Sequence, residues 1–252
     1  MVYKYTDCPY KEIPSELLDD YTMNGKIPIF HWFSDNTKKN GVIWNNDYIN
    51  EYIRRFTPYN IRYNDAKEGY GNESCLYFLN AFEKYNITNK KVAVVGSETP
   101  WIEAILINLK NKVTTIEYNV PYSNYENLEC KDYFTFFENN KNEFDVIVTY
   151  SSIEHSGLGR YGDPLDPNGD IKTMKAIYNN LTDNGLLIWA APVGKDALSW
   201  NVHRIYGELR LPLIFENFKE IEWYGSRTRE EALFNTPLKN NADHPIIVLE
   251  KC

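Results

Sequence analysis

Cysteine is sparse in this chain of 252 residues: Cys8, Cys75, Cys130 and Cys252 stand far apart and form no Cys-x-x-Cys pair. A disulfide framework and a cysteine-rich zinc site are therefore not expected. Excess positive charge is also missing. The net charge is −8 and the pI about 5.2, so the surface repels a phosphate backbone and no nucleic-acid partner is expected. Long apolar runs are absent, the longest falling well short of a membrane span. Residues 1–7 hold no apolar signal core. These absences point to a cytoplasmic protein with no membrane partner. The Asn-x-Ser/Thr triplets at Asn72, Asn86 and Asn180 then read as chance matches. Neither His-x-x-x-His nor His-Glu-x-x-His occurs. His155, Asp163 and His203 have ligand chemistry, but no spacing joins them, and no metal is expected. The acidic stretch from Asp163 to Asp170 lacks the alternating oxygen ligands and distal Glu of a calcium loop.

What is present is ordinary globular composition, with 43% hydrophobic and 25% charged residues. Aromatics reach 15%, including 20 Tyr, which provides aromatic surface for ligands. Residues 1–89 read as an irregular, partly helical extension or lid. Two helices stand out there, Asp47 to Phe56 and Asn72 to Tyr85, each with apolar residues at helical spacing. Residues 90–252 read as a second region with a different rhythm. Short apolar runs at Val92–Val95, Val113–Ile116, Leu128–Asp132, Phe144–Thr149 and Leu186–Ala190 predict buried parallel strands. Helices fall between them. One runs over Pro100–Leu109 with Thr99 as N-cap, and one is capped by Asp170; a further helix, broken near Pro212, is expected over Val202–Phe215. Lys219–Tyr224 and Pro245–Leu249 close the chain as an antiparallel edge. The expected fold is α/β, a Rossmann-like doubly wound sheet of about seven strands.

Three loops carry the candidate chemistry. The first is Val94-Val-Gly-Ser-Glu-Thr-Pro-Trp101, a strand-to-helix turn in which Gly96 is the single glycine. The second strand ends at Glu117, about twenty residues further on, where a carboxylate accepts ribose hydroxyl protons in dinucleotide folds. The third is Thr149-Tyr-Ser-Ser-Ile-Glu-His-Ser-Gly-Leu-Gly-Arg-Tyr-Gly-Asp163, at the carboxyl end of the fourth strand, where open α/β sheets bind ligands. His155 titrates near neutrality when unperturbed and is the candidate base. Glu154 orients it or serves itself. Arg160 suits a carboxylate or phosphate, and Asp163 a hydroxyl or amine. His203 and Arg204 are placed to reach the same cleft, whereas His31 and His244 read as structural.

This order of elements resembles the class I S-adenosylmethionine-dependent methyltransferases. The Val-Gly-Ser-Glu-Thr-Pro-Trp turn and the run after the fourth strand resemble a methyltransferase-like family of unknown function first described from nematode proteins, of the DUF268 type. The resemblance implies an S-adenosylmethionine cofactor held by Gly96, Ser97, Glu98, Trp101, Glu117, Asp132 and Ser151. Glu98 would pair with the methionine ammonium and Asp132 with the adenine amino group. It implies a methyltransferase acting on a small polar, anionic or sugar-like substrate. The departure from the family's Gly-rich turn keeps two alternatives in view. One is an enzyme of the same fold using another nucleotide or a metal; the other is a non-catalytic binding protein. A homodimer is left open.

Overall fold

The computed structural model describes residues 9–37, 42–69, 72–138, 142–235 and 243–252. Cys8 and residues 1–7 lie outside that set. The chain opens with a short helix α1 (Leu18–Thr22) and a strand β1 (Ile29–Trp32), followed by helices α2 (Asn46–Arg55), α3 (Pro58–Tyr63) and α4 (Asn72–Lys84). Next comes the alternating run β2 (Lys91–Val95), α5 (Trp101–Asn108), β3 (Lys112–Glu117), β4 (Leu128–Asp132), α6 (Tyr133–Glu138), β5 (Phe144–Tyr150), α7 (Gly169–Asn180) and β6 (Leu181–Ala190). Strands β7 (Ala197–Asn201) and β8 (His203–Ile205), helix α8 (Leu211–Ile214), strand β9 (Phe218–Tyr224), helix α9 (Arg229–Phe234) and strand β10 (Ile246–Lys251) complete it.

Seven strands form one sheet in the order β4-β3-β2-β5-β6-β10-β9. The first five are parallel, and β10 runs antiparallel to both β6 and β9. The expected doubly wound sheet with its antiparallel edge is therefore present. Its central strands are apolar on both faces because helices cover both. On one face α2, α4 and α5 share a core with the sheet through Phe56, Phe78, Phe82, Trp101 and Val94. On the other, α7, α8 and α9 bury Met174, Ile177, Leu211 and Leu233 against Ile147 and Trp189.

Local chemistry sets the helix starts. Asn45 caps α2 by accepting from the Tyr48 N–H at 2.9 Å. Thr57 caps α3, with Pro58 in the first turn, where a missing N–H costs nothing. Helix α3 is too short to show an apolar period. Helix α5 begins one residue later than expected, with Pro100 rather than Thr99 at the N-cap. No helix among the described residues is long and apolar enough to cross a membrane.

The expected helix over Val202–Phe215 is not formed. In its place are β8, a turn and the short α8. Asp196 accounts for the turn: its carboxylate accepts the N–H groups of Gly207, Leu209 and Arg210 at 3.0, 2.8 and 3.0 Å. Those donors are thus unavailable for a continuous helix. Strand β8 instead joins a second sheet, of order β1-β7-β8, with β1 parallel to β7. Its own small core holds Tyr21, Ile27, Leu158, Leu165, Leu198 and Trp200.

Asp170 is also not the expected cap. Asn168 takes that place, and Asp170 lies inside the first turn of α7, fully buried. Its oxygens meet Arg210 Nε at 2.8 Å and Arg210 Nη2 at 2.5 Å, with Arg204 Nε 3.6 Å away. Tyr206 adds its hydroxyl at 3.2 Å. Burial alone raises a carboxyl, but the two guanidinium groups hold this one below the ordinary range. Asp170→Ala leaves two buried cations without their partner and is expected to lower the unfolding free energy by about 3–5 kcal/mol. A urea midpoint indistinguishable from that of the parent would contradict this.

Candidate active site

Open α/β sheets bind ligands beyond the carboxyl ends of their strands, and a large cavity lies there. It has a volume of about 1350 Å³, above the roughly 300–1000 Å³ of a single small-molecule pocket. It therefore has room for two ligands. Its floor is the β2–α5 turn, the end of β3 and the segment after β5; its walls come from α4, the second sheet and the segment before β10.

The floor depends on a close approach of two turns. Gly96 has φ +76°, and a Cβ there would fall 2.1 Å from Ser152 Oγ. The next residue, Ser97, donates its N–H to Glu117 Oε2 at 2.8 Å, and Tyr118 donates to Oε1 at 2.9 Å. The Glu117 carboxylate is thereby fixed by two backbone donors. Glu98 lines the cleft and an adjoining cavity of about 210 Å³, whose wall includes Trp44, Tyr118 and Asn119. Trp101 also reaches the cleft but is chiefly a core side chain, edge-on to Tyr150 at 5.3 Å. Asp132 stands apart from the cleft residues. Its Oδ1 accepts from the N–H groups of Phe134 and Thr135 at 3.1 and 3.0 Å, so it caps α6.

The segment after β5 folds on its own polar groups. Ser151 lies on the cleft and donates to Glu154 Oε1 at 2.9 Å. Glu154 is fully buried, and its Oε2 has no hydrogen-bond partner. Burial pushes its carboxyl up to about 7. The Nδ1–H of His155 donates to the Val202 carbonyl. That fixes the tautomer and leaves Nε2 basic, 3.7 Å from Glu154 Oε1. His155 does not titrate near neutrality in this setting: burial, then the Arg160 charge, hold it down to about 3. The same two causes hold His203 to about 4. Asp163 is spent within the loop, accepting from the N–H groups of Gly157, Gly159 and Tyr161 at 2.8, 3.2 and 3.2 Å. Burial raises its carboxyl. Arg160 lines the cleft.

The structure thus gathers Gly96, Ser97, Glu98, Trp101, Glu117, Ser151, His155, Arg160, Asp163 and His203 around one cleft, with Glu154 just beneath it. Arg204 turns away to grip the carbonyls of Ser156 and Glu154 at 2.7 and 3.3 Å. His31 and His244, expected to be structural, lie on the cleft walls. Phe30, Trp32 and Ser199 were missed, because the second sheet that carries them has no periodic signal. Tyr118, directly after Glu117, was legible from its position but not singled out. Among the described residues no group of three His, Cys, Asp or Glu is arranged to hold a metal.

Beneath the Gly96 turn, Glu103 is fully buried; Oε1 accepts from Thr115 at 2.8 Å and Oε2 has no hydrogen-bond partner. Burial pushes its carboxyl up to about 7, from an ordinary 4.5. Between those values the folded chain keeps a proton that the unfolded chain has released, so stability falls as pH rises. Glu103→Gln removes that component. Its thermal midpoint is expected to gain on the parent's between about pH 5 and pH 8 in paired melts. A constant offset across that range would contradict the assignment.

Solved structures share this architecture. One is the 1,6-didemethyltoxoflavin-N1-methyltransferase of Burkholderia thailandensis, with bound 1,6-didemethyltoxoflavin and S-adenosylhomocysteine. It is 11% identical, aligned over 69% of this chain and 76% of its own, with a TM-score of 0.52. Another is TehB from Haemophilus influenzae, 15% identical over 79% of this chain and 67% of its own, with a TM-score of 0.50. At such identities the likeness establishes the fold alone. No curated protein matches the sequence. The sequence model of the family described as Caenorhabditis protein of unknown function, DUF268, matches residues 89–251. The chain, with its class I methyltransferase fold, belongs to the DUF268 family.

Proposed function

We propose that the protein is an S-adenosylmethionine-dependent methyltransferase acting on a small polar acceptor. The observation that carries this reading is Glu117, fixed on the cleft floor at the end of β3 by the Ser97 and Tyr118 N–H groups. The residues present suit the cofactor. The Gly96 turn keeps the backbone low beside Ser152, so a ligand meets main chain rather than side chain. Glu117 accepts the ribose hydroxyls, and Glu98 pairs with the methionine ammonium. Tyr118 and Asn119 serve the adenine end, since Asp132 is engaged as a cap. Trp101 and Ser151 close the floor around the methionine chain.

Bound there, S-adenosylmethionine supplies an electrophilic methyl group on a sulfonium. The protein's part is to position the acceptor, exclude water and receive a proton. His155 receives it at Nε2, because Nδ1 is committed to Val202. Glu154 Oε1 lies 3.7 Å from Nε2, so an imidazolium formed there favours ionisation of the Glu154 carboxyl beside it. An acceptor that binds neutral His155 releases its proton only as its bond to the methyl group forms.

Calorimetric titration with S-adenosylmethionine and S-adenosylhomocysteine is expected to give one saturable site. Glu117→Ala should weaken it at least tenfold, about 1.4 kcal/mol. No heat and no thermal stabilisation at millimolar ligand would overturn the reading. With an acceptor in hand, His155→Ala is expected to lower kcat by roughly 10²–10⁴ while leaving KM for the cofactor unchanged. Intact turnover would remove His155 from the mechanism.

A further inference from the structure

The cleft is unevenly charged. Glu68, Glu73, Glu98 and Glu117 line it, against two cations among the described residues, Arg160 and Arg227. Arg227 is neutralised by Asp243, both of whose oxygens lie 2.8 Å from its Nη1. Arg160 is held differently. Its Nε donates to Asn36 Oδ1 at 3.0 Å and its Nη1 to the Val202 carbonyl at 3.5 Å; its guanidinium carbon lies 5.1 Å from the centre of the Tyr161 ring. Asn36 returns a hydrogen bond from its own N–H to the Arg160 carbonyl at 2.9 Å. The guanidinium is therefore oriented by neutral acceptors, with no ion pair among the described residues. An oriented, half-buried cation held by neutral acceptors rather than by a paired carboxylate binds an oxyanion in a fixed plane. A neutral polyol in the same place would leave that charge uncompensated.

The position of the base narrows the ligand further. The Val202 carbonyl accepts from both His155 and Arg160. One atom thus fixes the spacing of cation and base on the cleft wall. Trp32, edge-on to His203 at 5.6 Å, and Tyr161, edge-on to His155 at 5.7 Å, add aromatic surface on either side.

We propose that Arg160, aligned by Asn36, receives an oxyanion of the acceptor substrate. The acceptor is accordingly a small acid whose methyl-accepting oxygen or nitrogen lies within a few bonds of its carboxylate or phosphate. This inference rests on the methyltransferase reading of the same cleft. It also links binding to basicity. Burial and the Arg160 charge together keep His155 and His203 weakly basic. An anion on Arg160 offsets the second cause, so His155 becomes a stronger base when the acceptor is in place.

The test uses salicylate, a carboxylate beside a hydroxyl, and its neutral amide, salicylamide. Each is titrated calorimetrically into the full chain, with and without S-adenosylhomocysteine. Salicylate is expected to bind at one site, displaceable by inorganic phosphate, and the amide at least tenfold more weakly. Arg160→Gln should bring salicylate to the level of the amide, Arg160→Lys should retain part of the preference, and Asn36→Ala should weaken salicylate severalfold. S-adenosylhomocysteine affinity should be unchanged in all three variants. Equal affinity of the parent chain for acid and amide overturns the proposal without recourse to any variant. So does salicylate binding that Arg160→Gln leaves intact, or no binding of salicylate or phosphate at about 10 mM. If S-adenosylhomocysteine fails to bind while salicylate remains Arg160-dependent, the methyltransferase reading falls and the oxyanion site stands. The reverse result removes the oxyanion site alone.

Discussion

The carboxylate of Asp170, buried between Arg204 and Arg210, is the contact on which the cleft depends. It joins α7 to β8 and to the turn before α8. Arg204 extends the joint to the carbonyls of Ser156 and Glu154. The segment after β5 is consequently gripped from behind by its own backbone, and Ser151, His155 and Arg160 are left on the front. A buried ion pair is weak evidence for net stability, because well-packed apolar groups often do as well. Here its value is directional. A guanidinium fork fixes planes and distances that apolar contacts do not.

That rigid backing lets burial set the chemistry in front of it. Glu154 and His155 are adjacent in sequence and share one low-dielectric corner, yet burial moves them in opposite directions, toward the neutral form of each. Their neighbours are chosen accordingly. His155 has a carbonyl for its one N–H, Glu154 has a serine hydroxyl, and Arg160 has an amide oxygen.

The sheet was legible because its strands are apolar runs bounded by polar turns, and the local pattern of such runs survives any packing partner. The same locality exposed Gly96, Glu117 and the loop from Thr149 to Asp163. What the pattern hid was long-range. Ile29-Phe-His-Trp32 alternates nothing and is largely exposed, so it reads as loop until Leu198–Asn201 supplies its partner. Val202–Phe215 has enough apolar residues for a helix, and only the Asp196 carboxylate, eleven residues upstream of Gly207, decides otherwise. Asp170 read as a cap because position and residue type fit one. Its real partners lie 34 and 40 residues away and are invisible to spacing. For His155 the residue was legible and its proton affinity was not, since that depends on burial.

The pairing of β1 with β7 has a consequence for how this protein comes into being. Ile29 meets Leu198 and Trp32 meets Asn201, so one wall of the cleft is a contact between segments separated by most of the chain. During synthesis the N-terminal strand must wait, unpaired, while the sheet from β2 to β6 is made and assembled. The aromatic edge of Phe30 and Trp32 is open to solvent for that whole interval, an exposed strand of the kind chaperones shield. Closing so distant a contact is slow relative to the local pairing of the sheet. The parallel strands β2 to β6 of such a molecule mature first on the ribosome, and the wall built by β1 and β7 is added after them.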